Sequence, residues 1–77
     1  MSYKTALDAY YRNDFKAFTE AFRIIIDLEP KSMDWINSAW KELNRNGKNL
    51  KRKDGKAIID RHFSRAYGVP SMRKNTS

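Results

Sequence analysis

The chain has 77 residues, 40% of them apolar and 13% aromatic, a formal net charge of +7 and no cysteine. That length holds one domain with one small core, the apolar content is too high for a disordered chain, and the lack of cysteine excludes a disulfide framework, a thiolate zinc site and a cysteine nucleophile. The charge excess lies wholly in the second half: residues 1–43 carry six basic and seven acidic side chains, residues 44–77 ten basic and two acidic.

The N-terminus shows neither a basic n-region nor an apolar h-region, so no secretory signal is expected. In residues 3–28, apolar side chains fall at Tyr3, Leu7, Tyr11, Phe15, Phe18, Phe22 and Ile25, in steps of three and four that match the helical period. A second row (Ala6, Tyr10, Ala17, Ala21, Ile24, Leu28) widens the stripe. Asn13 and Asp14 are a stop-and-cap pair that would divide the segment. The stripe keeps its phase across them, however, and predicts one long helix, about 39 Å if straight, kinked at most near Asn13. The longest wholly apolar run is Ile24-Ile25-Ile26, too short to span a membrane. A cytoplasmic protein with no membrane partner is expected.

Pro30 pushes Glu29 out of helical geometry and ends this segment. Ser32 then reads as an N-cap and Asp34 complements the dipole of a second helix over 33–46. Its stripe is Met33, Ile36, Ala39, Trp40 and Leu43, and Gly47 supplies the left-handed stop. A basic loop follows, with Asn46-Gly47 and Asp54-Gly55 as turn signals and Leu50 as its one apolar anchor. The third helix is predicted over 54–67, with Asp54 as N-cap and Ile58, Ile59, His62, Phe63, Ala66 and Tyr67 on one side. Gly68 and Pro70 terminate it, and residues 69–77 have no periodic pattern, as in a flexible tail.

These elements predict an all-α fold: a small three-helix bundle with a long first helix, occupying residues 1–68 as one domain. Phe18, Phe22, Trp40, Ile59 and Phe63 are the expected core. Trp35 and Tyr10 sit at the edges of their stripes, as core-edge residues or as exposed anchors for a partner.

Little here suits catalysis. The single histidine, His62, falls on the apolar side of its helix, where a packed, hydrogen-bonded role is the ordinary one. No carboxylate on that helix stands at an offset that would face it. The three glycines are too dispersed for a phosphate-cradling loop. No enzyme activity, metal or cofactor is expected. The gap between the second and third helices is too long for a helix-turn-helix.

The basic half is the informative feature. Lys48, Lys51, Arg52, Lys53 and Lys56 flank the start of a helix, whose own N–H groups attract anions. Arg61 and Arg65 continue the charge along the exposed side of that helix, where arginines can reach base edges in a major groove. Arg73 and Lys74 extend it into the tail. The expectation is a non-enzymatic DNA- or RNA-binding protein that grips the phosphate backbone through these nine residues. The alternative is a module that docks on an acidic surface of a larger protein and modulates or inhibits it. A homodimer is credible because so small a domain gains core by association. Size, charge and lack of cysteine resemble small accessory proteins of phages and plasmids, but no motif carries that likeness and it assigns no family.

Overall fold

Two residues decide the path of the N-terminal half. In the computed structural model, which describes residues 3–47 and 49–68, Asn13 takes a left-handed conformation (φ 59°). Its N–H donates to the Tyr10 carbonyl at 2.9 Å and that of Asp14 to the Ala9 carbonyl at 2.9 Å, the paired bonds of a Schellman stop. Asp14 then caps the next helix, its Oδ1 accepting from the Ala17 N–H at 3.1 Å. The stop and the restart are contiguous, so the apolar phase survives although the axis turns.

The expected single long helix is therefore corrected to three: α1 (Tyr3–Tyr11), α2 (Phe15–Glu20) and α3 (Arg23–Leu28). The second break falls at Phe22, which leaves helical geometry (φ −112°, ψ 21°). A straight rod of about 39 Å could bury its stripe only along one line, whereas the two turns let Phe18 and Phe22 both reach the interior. Two helices complete the fold, α4 (Ser32–Arg45) and α5 (Arg52–Tyr67). All regular elements among the described residues are helices, so the fold is all-α. No helix among these residues is long and apolar enough to cross a membrane.

The stops around α4 and after α5 behave as their residues dictate. Glu29, before Pro30, is extended (φ −146°), Gly47 is left-handed (φ 79°), and so is Gly68 (φ 68°). Two caps differ from expectation. Ser32 is the first residue of α4 rather than its cap, and its buried Oγ has no hydrogen-bond partner among the described residues. Asp54 lies inside the first turn of α5, and Lys51 occupies the N-cap position.

The core lies where α1, α2, α4 and α5 meet: Leu7, Tyr10, Phe18, Phe22, Trp35, Ile36, Leu43, Ile58 and Ile59 are buried. Phe18, Phe22 and Ile59 are in it as expected, while Trp40 and Phe63 are only half-buried and pack against it. Of the two readings of Tyr10 and Trp35, burial excludes the exposed anchor and places both in the core. Trp35 contacts the rings of Phe22, Phe63 and Tyr67 and donates its indole N–H to the Tyr67 hydroxyl at 3.2 Å. The Tyr10 hydroxyl points at the Leu43 carbonyl (2.8 Å) and the Gly47 carbonyl, so it serves the orphan end of α4. Ile24 and Leu28, counted in the apolar stripe, are instead 70% and 82% exposed.

Candidate nucleic-acid interface

The start of α5 lies antiparallel along α1, and one glycine permits it. A Cβ on Gly55 would stand 2.6 Å from the Leu7 side chain, so only glycine lets the two helices approach this closely without displacing Leu7. Gly55 is thus a buried helical residue and not part of a turn.

That approach sets two cations over two rings of α1. The Arg52 guanidinium carbon lies 5.4 Å from the centre of the Tyr11 ring, and Lys56 Nζ 5.3 Å from that of Tyr3. Arg52 also pairs with Asp8, which accepts a second bond from Lys4 at 3.1 Å. These two hydrogen bonds hold the Asp8 carboxyl below its ordinary pKa. The Tyr3 hydroxyl bonds to Asp60, and the Tyr11 hydroxyl to the Leu50 carbonyl in the loop. Burial, followed by the Asp60 carboxylate, pushes the Tyr3 phenol upward.

The expected site residues thus fall into distinct groups. Lys51 and Lys53 are exposed at the start of α5. Together with Lys56 and Arg65 they form no ion pair among the described residues. Lys51, at the N-cap of α5, makes no side-chain capping bond, because lysine has no acceptor to offer. Arg52 stands with Lys51, Lys53 and Lys56, but its charge is shared with Asp8. Arg61 and Arg65 lie nearer the other end of the helix. Lys48, Arg73 and Lys74 lie outside the described residues.

Arg61 is held. Its guanidinium clasps Glu42 of α4 through both terminal nitrogens, at 3.1 and 2.6 Å. The same carboxylate meets His62 Nε2 at 2.7 Å, so the buried histidine is hydrogen-bonded as expected, with its partner on another helix. Arg61 chiefly, then His62, lowers the Glu42 pKa from 4.5 to about 2. A carboxyl whose folded value is depressed contributes stability above its unfolded pKa, and that stability is lost as pH falls through the folded one. With a side chain 24% exposed, solvent screening leaves a contribution of roughly 1–2 kcal/mol, lost between about pH 5 and pH 2. Urea melts across that range should show a shallower acid decline in Glu42→Gln than in the native protein.

Asp8, Tyr3, Tyr11 and Glu42 are the organising residues that sequence patterning did not single out. Tyr3 and Tyr11 stand in the α1 stripe, but nothing local indicates that a cation from residues 52–56 covers each ring. Arg65 borders a shallow hollow with Asp34, Trp35, Ser38 and His62. Among the described residues, no group of three or more histidines or carboxylates could hold a metal ion.

The arrangement offers a cluster of cations with free ammonium groups around an uncapped helix start, one flank of which is braced on tyrosine rings. Such a cluster can take up phosphate oxygens at little conformational cost on the braced side. Compared with protein-family models, with curated proteins and with solved structures, the chain finds no match.

Proposed function

We propose that this protein binds DNA or RNA through the loop before α5 and the first turns of that helix, with mainly electrostatic affinity. The observation that carries the reading is the gathering of Lys51, Arg52, Lys53 and Lys56 at one uncapped helix start. Among the described residues, Arg52 alone of the four spends charge on an ion pair there. Phosphates are the chemistry that such a cluster suits: each contact releases condensed counterions, and the helix start adds N–H donors. Arg65, Lys48 and the tail residues Arg73 and Lys74 extend the same interface in this reading. Arg61 joins it only by giving up Glu42, which makes base reading by Arg61 a costlier event than phosphate contact by its neighbours. A cytoplasmic, non-enzymatic role completes the proposal, since a chain without cysteine suits a reducing compartment.

The direct test is an anisotropy titration with labelled duplex and single-stranded DNA and RNA at several salt concentrations. Binding should weaken linearly in log affinity against log salt, with a slope of about −3 to −7 for four to eight phosphate contacts. Absence of measurable affinity for every strand type at low salt overturns the proposal. The lysines would then be a docking surface for an acidic protein, and a pull-down from nuclease-treated lysate would capture one.

A further inference from the structure

One face of α3 is left uncovered among the described residues. Ile24 and Leu28, one turn apart, are 70% and 82% exposed, and no residue of α3 is fully buried. Two shallow hollows beside them share Ile25 and Phe63 and so adjoin. The one at the start of α3 is also bordered by Glu20 and Ile24, the one at its end by Leu28, Glu29 and Tyr67. Arg23 is spent on Glu20 and Asp27 of its own chain. Glu29 has no ion pair among the described residues. The face is therefore apolar with a net acidic border, and exposed apolar surface of this kind marks a contact site.

We infer that residues 69–74 of this chain, Val-Pro-Ser-Met-Arg-Lys, cover this face. They lie outside the described residues, and the end of α5, the reach of the segment and its charge select them. Tyr67, the last residue of α5, borders the end hollow, and Gly68, left-handed at φ 68°, donates its N–H to the Ser64 carbonyl. A helix stopped in this way often packs the residue after the glycine against the side chain five positions before it, here Val69 against Phe63. Residues 69–73 span about 17 Å when extended, and the six residues of α3 rise about 9 Å. Met72 can therefore lie on Ile24 and Leu28, with Arg73 and Lys74 at the acidic border. Residues 69–77 carry Arg73 and Lys74 and no acidic side chain, whereas Glu20, Asp27 and Glu29 outnumber Arg23 on the face. The same border repels a polyanion and the identical face of a second copy. A basic, apolar peptide from another protein has the right chemistry, but a tethered segment acts at a millimolar effective concentration and takes the site first. Docking on α3 does not depend on nucleic-acid binding. Docked here, Arg73 and Lys74 sit beside the Phe63–Tyr67 end of α5 rather than its start, and they join a phosphate interface only by leaving α3.

Paramagnetic NMR on the full chain, free of nucleic acid, tests this. The protein has no cysteine, so Asn75→Cys carries a single nitroxide just beyond Lys74. The methyl signals of Ile24, at the end of the face away from Tyr67, should broaden strongly. Adding Met72→Glu places a charge in the apolar contact. It should cut the ratio of docked to free segment more than about tenfold and remove that broadening, with the helices unchanged. Glu20→Lys with Glu29→Lys reverses the border and should also remove the broadening. Adding Arg73→Glu and Lys74→Glu should restore it, which damage to α3 alone would not allow. Weak broadening of Ile24 in the otherwise native chain, broadening that survives Met72→Glu, or failure of the reversed charges to restore it overturns the inference. So does broadening carried between a nitroxide on one chain and methyls on another, which would assign the face to a second copy.

Discussion

Replacing Phe22 with alanine should leave most of the protein unfolded at ordinary temperature. The ring is buried to 1% exposure, lies 5.2 Å from that of Phe18 and 5.6 Å from that of Trp35, and joins the α2–α3 turn to α4. Removing such a side chain costs roughly 3–5 kcal/mol, the lost burial plus the cavity left behind. A single core in a domain of 77 residues rarely supplies more than roughly 3–5 kcal/mol of net stability, so most or all of the margin goes. Phe22→Leu, which keeps much of the volume, should retain a cooperative transition. Far-ultraviolet circular dichroism melts of the three proteins measure this. An alanine variant melting within a few degrees of the native protein would show that the Phe18–Phe22–Trp35 cluster is not what secures α2 and α3 to α4.

The largest effect on binding should follow from replacing Lys51, Arg52, Lys53 and Lys56 together with alanine. If all four contact phosphate, the salt slope should shrink by roughly three, at 0.7–0.9 per contact. Counted from a molar reference, that is a loss of about a thousandfold at about 0.1 M salt. The four are not equivalent. Lys51 and Lys53 pack against little, so their pair of substitutions should reduce affinity and leave the melt unchanged. Arg52 and Lys56 also stack on Tyr11 and Tyr3, and Arg52 holds Asp8. Their substitution should lower the melting temperature slightly as well. Equal affinity for native protein and fourfold variant would remove the start of α5 from the interface.

The elements that could be read from sequence are those fixed by local chemistry. Pro30, Gly47 and Gly68 end helices for reasons contained within a residue or two, and the α4 and α5 ranges follow closely. The division of residues 3–28 was less legible, although its agents, Asn13 and Asp14, are visible. Periodicity reports only which residues face the core, and helices that turn around one core keep a common phase. The choice left open for Tyr10, core edge or exposed anchor, has a different origin. Its hydroxyl is satisfied by carbonyls more than thirty positions away, so a residue that looks too polar and too offset for the interior is fully at home there. The same distance in sequence hides the partners of the candidate site. Arg61 reads as a free cation on an exposed face until Glu42, from another helix, is seen to hold it. The exposure of Lys51 and Lys53 was easier to read, because a side chain that stays in solvent depends on little beyond its own position.

The two adjacent tyrosines of α1 have a dynamic consequence. Tyr10 engages the carbonyls of Leu43 and Gly47, and Tyr11 that of Leu50, so both ends of the connection between α4 and α5 are fastened to the same turn of α1. Segments of this kind ordinarily open on their own, as the least protected unit of a fold. Here the described ends of the connection can open only if α1 lets go, which couples their fluctuations to those of the core. The lysines that leave from Lys51 onward therefore start from a fixed origin. In the proposed binding of nucleic acid, their side chains would keep the freedom to search for a phosphate, while the backbone carrying them would not have to be ordered at the moment of contact.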